Sequence, residues 1–540
     1  MLDTYPFKQP RHGTEEALAQ IKTAFDKGKR FVIVSAPTGS GKSGISVAFA
    51  RKHKAIVLTP TKFLQDQYAN TPEFMFEYVI KGKANYMCGL PKFQHYNVEE
   101  SVCCSDTIAH QFASETPFVQ IGNTKSMASK RLKILCSDHM ICPYYSKLYR
   151  IPSTPGAIIN YDLFFKIKRM PNSERGYDLG KNIVFDEAHQ LINKANSNFG
   201  HTLTNVGAMR LFGNEGKRGV GESLSAWIYR LINVSKERVT AEKDPKEAAK
   251  IESYAKRLKF LISLDIFDDK KFYIDDKHVE VEVKPLDFRM LKQHIFDPFE
   301  KILLLTATLP TNFKQIFGIT DDESEVIDIP SVFDKKNRPA IFAKDLPILN
   351  YKTQFTKSSE QIKIIENILL AHKNDKGIIH CANYKFFEQI RNIFKSNDRF
   401  IWIQQDASKE KMIDLHISSK KPTVLVSPAL MEGLDLKDDL ARFQVLLKIP
   451  YPTLDDYTKK MDEIFPGWYQ NLTITNIVQA YGRAVRSETD YANYYILDGA
   501  FNIILSKYKA LIPTYLLEAL QVGRTADLVK ILKKKAETNE

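Results

Sequence analysis

The feature that most constrains this chain is a glycine loop set between a short apolar strand and a helix. Phe31-Val32-Ile33-Val34 leads into Ala36-Pro37-Thr38-Gly39-Ser40-Gly41-Lys42-Ser43, and helical spacing continues from Ile45 to Arg51. Gly39 and Gly41 let successive backbone N–H groups wrap phosphate oxygens. The helix that begins at Ser43 adds the positive end of its dipole. In this pattern Lys42 reaches the β- and γ-phosphates and the Ser43 hydroxyl binds magnesium. The strict pattern opens on glycine; this chain has Ala36 there.

A phosphate loop of this kind needs acidic groups on a neighbouring strand end. Val184-Phe185-Asp186-Glu187-Ala188-His189 supplies two. Asp186 is expected to hold magnesium through water, and Glu187 to orient and deprotonate the attacking water. Alone, such a tetrapeptide reads equally well as a helix cap. Beside the phosphate loop it completes a nucleoside-triphosphate site for ATP and Mg²⁺.

Strands alternating with helices predict parallel α/β sheets. The rhythm runs through residues 1–80, resumes over 156–191 and again over 286–335, and these three parts are read as one lobe. Two stretches interrupt it. Residues 81–155 hold most of the cysteines with many aromatics and read as an insertion with its own small core. Residues 192–285 are charged and mostly of helical spacing, with Phe272 to Val283 alternating like a hairpin. A second α/β unit fills 336–540, with Gly377-Ile378-Ile379-His380 and Val424-Leu425-Val426 as its clearest strands and a basic helical tail from Ala526 to Glu540.

Net charge is +13, which suits a polyanion through phosphate neutralisation and equally suits a soluble surface. No run of about 18 apolar residues predicts a membrane span. The start of the chain lacks a basic-then-apolar signal pattern. The expected setting is therefore reducing: cytoplasmic and nucleoid-associated, or nuclear, and not secreted. Of six cysteines, five fall between Cys88 and Cys142, a clustering that points to metal. Cys88, Cys103, Cys104, Cys136 and Cys142 are five candidates for four thiolate positions, a set that suits a [4Fe–4S] cluster or zinc. Cys381 reads as a buried core thiol.

These motifs, in this order, resemble the XPD/DinG branch of iron–sulfur superfamily 2 helicases, over most of the chain. Lys81-Gly82-Lys83-Ala84-Asn85-Tyr86-Met87-Cys88 and Cys142-Pro143-Tyr144-Tyr145 are similar to the entry and exit of the family's cluster domain. Leu305-Thr306-Ala307-Thr308-Leu309 resembles the motif that couples hydrolysis to lobe movement. The resemblance implies two RecA-like lobes with an iron–sulfur insertion and a helical arch in the first. It implies a [4Fe–4S] cluster on Cys88, Cys136, Cys142 and Cys103, with Cys104 as the alternative to Cys103.

The same resemblance implies that Gly433 and Asp435 line the ATP cleft from lobe two, together with Gln479. Arg483 and Arg486, three apart and so on one helix face, point at the γ-phosphate as arginine fingers. Thr59 and Thr61 lie in the motif that touches the DNA backbone, Asn160 is a further nucleic-acid candidate, and Tyr86, Tyr161, Tyr144 and Tyr145 are candidates for stacking on bases. Thr14 stands where the family has an adenine-reading glutamine, with Gln9 as the nearest substitute.

The activity implied is an ATP-dependent 5′→3′ DNA helicase, a monomer acting on single-stranded, duplex or forked DNA and on DNA/RNA hybrid. A translocase that remodels nucleoprotein complexes without unwinding is the alternative. Intact Lys42, Asp186, Glu187 and Arg486 argue against a third reading, a non-hydrolysing scaffold.

Overall fold

The computed structural model describes residues 1–540 except 77, 99–100, 102–108, 110–127, 170–177, 243, 351, 354–355, 357, 405–408, 429–435, 437, 484, 486–488 and 539–540. Cys103, Cys104, Gly433, Asp435 and Arg486 therefore lie outside the described residues.

Among the described residues, the strands that precede residue 336 are β1 (Phe31–Ser35), β2 (Ile56–Thr59), β3 (Tyr78–Ile80), β4 (Ala157–Asn160), β5 (Asn182–Asp186), β6 (His201–Thr204), β7 (Phe272–Asp276), β8 (Glu280–Pro285), β9 (Lys301–Thr306) and β10 (Ser324–Asp328). Seven form a parallel sheet in the order β10-β1-β9-β5-β2-β4-β3. Helices cover both faces, so the central strands are apolar throughout, and Phe31 to Val34 are all fully buried. β9 lies between β1 and β5, and the register pairs Ser35 with Thr306 and Asp186 with Leu305. Three strand ends remote in sequence thus finish side by side.

The second half adds β11 (Ala340–Ala343), β12 (Gly377–His380), β13 (Phe400–Trp402), β14 (Val424–Ser427), β15 (Phe443–Leu446), β16 (Asn493–Ile496) and β17 (Leu520–Gly523). They make a second parallel sheet in the order β13-β14-β12-β15-β16-β11-β17. The expected two-lobed α/β architecture is what the chain forms.

One expectation changes and two gain detail. The stretch around 81–155 has no separate core among its described residues, because Cys88, Leu132, Cys136 and Tyr144 belong to one apolar cluster with Ile159 and Phe185 of lobe one. In the stretch 192–285 the expected hairpin over Phe272 to Val283 forms as β7 and β8, and β6 joins it. Helices Leu224–Ala241 and Pro245–Ser263, capped by Ser223 and Asp244, accompany an antiparallel sheet β6-β8-β7. The C-terminal segment is helical as expected, and it docks: helix Thr525–Thr538 buries Leu528 and Leu532 in the core of lobe two. Its apolar residues at i and i+4 fall on one face, which the composition of the segment concealed.

Candidate ATP site and its surroundings

The phosphate loop is built as its glycines require. Gly39 and Gly41 have φ of 84° and 91°, conformations costly for any side chain, and Gly41 caps helix Lys42–His53. The Ala36 N–H donates to the Thr306 carbonyl at 2.8 Å, which ties the loop to the end of β9. Lys42 is buried, and its ammonium donates to the carbonyls of Ala36 and Pro37 at 3.0 and 3.1 Å. Arriving phosphate oxygens offer that ammonium charged acceptors in their place. From the N-terminal segment, Arg11 donates to the Gly39 carbonyl and Thr14 Oγ1 lies 3.5 Å from the Ser40 carbonyl, while Gln9 is exposed.

Asp186 ends β5 facing this loop. Its Oδ2 accepts from the Tyr68 hydroxyl at 2.9 Å, and Ser43 also interacts with that hydroxyl. Ser43 and Asp186, the two expected magnesium ligands, thus meet around one phenol. Burial, and next to it the Glu187 charge, push the Asp186 carboxyl well above the usual carboxylate range. A divalent cation between these groups would reverse that shift by stabilising the carboxylate. Burial with hydroxyl and carboxylate oxygens suits a hard cation such as Mg²⁺. Among the described residues no group of three or more His, Cys, Asp or Glu is arranged to hold a metal ion. The remaining magnesium ligands would come from nucleotide and water.

Glu187 has φ of 51°, left-handed and strained for a residue with a side chain. The turn carries the chain from strand end to helix and aims the carboxylate beside Asp186. His189 Nδ1 lies 3.4 Å from Glu187 Oε2 and 3.2 Å from Thr306 Oγ1. Thr306 Oγ1 donates to the Thr308 carbonyl at 3.0 Å and accepts from the Thr308 N–H at 3.1 Å. With its proton so committed, the hydroxyl can only accept from His189, which fixes the Nδ1–H tautomer. Residues 189, 306 and 308 form one hydrogen-bonded line to the loop after β9, and the Glu187 carboxylate, the expected base, lies against its His189 end without a hydrogen bond to Oε2 among the described residues. Sequence reading missed His189 as a link, although it stands only three residues past Asp186. Thr306→Val keeps shape but removes the hydroxyl, and is expected to cost about 1–3 kcal/mol of stability, read from the urea midpoint.

Lobe two closes over the loop. A cleft is lined by Pro37, Thr38 and Phe333 on one side and by Arg338, Gln444, Tyr481 and Gly482 on the other. A Cβ on Gly482 would lie 2.5 Å from Thr38 Oγ1, so only glycine permits this approach. Arg483 is buried on the helix-end turn, with Nε donating to the Gln479 carbonyl at 2.8 Å and Nη2 to Gln479 Oε1 at 2.6 Å. Gln479 therefore holds the Arg483 guanidinium. Arg338 was not singled out from sequence; it is buried in the cleft wall and donates to the Phe333 carbonyl at 3.0 Å.

Cys88 and Cys142 lie close enough to Cys136 to act on it electrostatically, although among the described residues these three thiols are not arranged to hold a metal ion by themselves. Cys88, Cys136 and Cys142 are all buried, and burial and then the two neighbouring thiols push Cys136 up to about 12. Gly89 makes this possible, since a Cβ there would lie 1.8 Å from the Ile141 carbonyl oxygen. Cys142 caps helix Pro143–Leu148, its sulfur accepting from the Tyr145 N–H at 3.4 Å, and Cys88 Sγ accepts from Ser101 Oγ at 3.0 Å. Cys381 is fully buried in lobe two.

The expected DNA contacts divide. Thr61 and Asn160 cap the helices that come after β2 and β4, accepting from Leu64 N at 3.2 Å and Leu163 N at 2.8 Å, and Thr59 is buried beneath them. Tyr161 is fully buried and donates to the Asp186 carbonyl at 3.0 Å, so its ring is core and offers no stacking face. Tyr144 and Tyr145 are likewise core. Tyr86 is half-buried against Tyr144, with ring centroids 5.6 Å apart.

Fold and site together define a two-lobed P-loop motor, with the nucleotide site at the seam. The comparisons agree. Residues 365–518 match the family described as Helicase C-terminal domain, and residues 7–212 match Type III restriction enzyme, res subunit. The ATP-dependent DNA helicase YoaA of Escherichia coli (strain K12) is 20% identical over 98% of this chain and 96% of its own length. The ATP-dependent DNA helicase XPD of Sulfolobus acidocaldarius is 22% identical over 88% of this chain and 93% of its own. A solved structure titled XPD_Helicase superposes with a TM-score of 0.64 at 18% identity, covering 96% of this chain and all of that one. These similarities place the chain with the XPD/DinG-type superfamily 2 helicases. No helix among the described residues is long and apolar enough to cross a membrane.

Proposed function

We propose that this chain is an ATP-dependent DNA helicase that moves 5′→3′ along a single strand and opens duplex, forked DNA or DNA/RNA hybrid ahead of it, acting as a monomer inside the cell. The observation that carries the proposal is the seam: the phosphate loop of lobe one, at Pro37 and Thr38, meets Tyr481 and Gly482 of lobe two across one cleft, and Glu187 and Arg483 both lie close enough to Tyr515 of lobe two to act on it electrostatically.

In this reading Ala36 to Ser43 cradle the phosphates, and Ser43 and Asp186 hold the metal that neutralises them. Glu187 takes the proton of the attacking water. Arg483, with Arg486, Gly433 and Asp435, senses the γ-phosphate from the other lobe. Loss of that phosphate removes contacts made only in the closed state, so the lobes part. The line from His189 to Thr306 and Thr308, with Glu187 against its near end, carries the event towards Thr59, Thr61 and Asn160, whose strand ends lie on the same edge of the sheet.

The three neighbouring cysteines, with Cys103 or Cys104 as the fourth, are assigned to a [4Fe–4S] cluster. Clustered thiolates in a buried site suit it, and it would act there as a structural clamp across residues 88 to 142. Strand displacement tests the function directly. A 5′-tailed duplex should open with ATP and a 3′-tailed one should not. ATP hydrolysis stimulated by DNA without displacement would make the chain a translocase instead.

A further inference from the structure

A group of tyrosines at the far end of lobe two plays no part in the nucleotide site. The nucleotide cleft meets this lobe near the starts of its strands, at Arg338, Gln444 and Ala492. At the opposite, carboxyl ends, the chain leaving β15 runs through Leu447-Lys448-Ile449-Pro450-Tyr451-Pro452. Ligands of open α/β sheets bind outside strand carboxyl ends. There the ring of Tyr451 lies parallel to that of Tyr469, with centroids 5.8 Å apart and planes 9° apart. Tyr451 is 38% exposed. Tyr508 is close enough to influence the Tyr451 hydroxyl electrostatically, and accepts from Gln470 Nε2 at 3.3 Å.

The loop is rigidly held. The buried Asp498 accepts from the N–H groups of Ile449 at 2.9 Å, Leu349 at 3.0 Å and Ala500 at 3.0 Å. Asn476 Nδ2 donates to the Pro450 carbonyl at 3.1 Å, and the Tyr469 hydroxyl to the Pro452 carbonyl at 3.2 Å. Cations neighbour these tyrosines along the chain: Lys448 stands three residues before Tyr451, and exposed Lys507 and Lys509 stand on either side of Tyr508. Two residues past Tyr469, Asn471 Oδ1 accepts from Thr311 N of lobe one at 3.3 Å. The platform therefore sits beside the seam, where lobe one presents the loop after β9.

We infer that Tyr451 and Tyr469 form a stacking platform for the bases of a single nucleic-acid strand, with Lys448, Lys507 and Lys509 meeting its phosphates. An exposed aromatic face flanked by cations is the pairing that single-strand sites use. A preformed ring pair accepts a base on its open side without prior ordering. The inference rests on the proposed nucleic-acid motor and names where lobe two would grip the strand.

Two variants of the full chain test it with a labelled oligothymidylate at fixed salt. Tyr451→Ala should weaken binding by about tenfold or more, with unstimulated ATP hydrolysis unchanged. Tyr451→Trp should retain affinity, and its added fluorescence, taken as the difference from the parent chain, should be quenched on binding by base stacking. Unchanged affinity in Tyr451→Ala, or an unquenched tryptophan at saturating oligonucleotide, would overturn the platform alone. A parent chain that binds no oligonucleotide would overturn the motor reading as well.

Discussion

Glu187→Gln is expected to keep ATP binding and to lower turnover by about 10²–10⁴-fold, the usual contribution of a positioned general base. The substitution preserves size and hydrogen-bonding reach, and it leaves the left-handed turn as strained as before. It removes only the capacity to accept a proton. Titration with a fluorescent ATP analogue should give a dissociation constant close to that of the parent chain, while phosphate release falls to near background. Unchanged hydrolysis would mean that the base is another group, and that the link through His189 positions something other than a catalyst.

The second large effect concerns a residue without a side chain. Gly89→Ala places a methyl group 1.8 Å from the Ile141 carbonyl oxygen, a distance that cannot be accommodated without moving one of the two backbones. Separating them pulls Cys88 away from Cys136 and Cys142. Overpacking at so rigid a contact is expected to cost about 1–3 kcal/mol or more. On the cluster assignment, anaerobically purified parent protein should be yellow-brown with about four irons per chain, and Gly89→Ala should lose most of them. Stoichiometric zinc in the parent would overturn the cluster. Full iron content in the variant would show that Cys88 is not a ligand.

Much of the nucleotide site was legible in the sequence because its chemistry is local. A phosphate loop needs its glycines, lysine and serine in one run, so Gly39 to Ser43 could be read directly. Asp186 and Glu187 likewise announce themselves at the end of an apolar strand. The tyrosines were a different matter. Tyr161 and Tyr86 look alike in a string of letters, yet Tyr161 lies fully buried beneath Asp186 and Tyr86 is only half-covered. Aromatic residues serve cores and binding faces equally well, and only burial distinguishes them. Tyr451 and Tyr469 escaped notice because 18 positions separate two rings that stack.

The sequence by itself determined the two α/β halves, the phosphate loop and the acidic strand end, since each depends on residues close together in the chain. Only the tertiary structure decided that β9 lies between β1 and β5, so that Thr306 touches both the phosphate loop and His189. It alone brought Gly482 against Thr38, Gly89 against Ile141, and the C-terminal helix onto lobe two. Strand order and backbone approach are set by how whole layers pack, and hydrophobic periodicity records which face of an element is buried without recording what it is buried against.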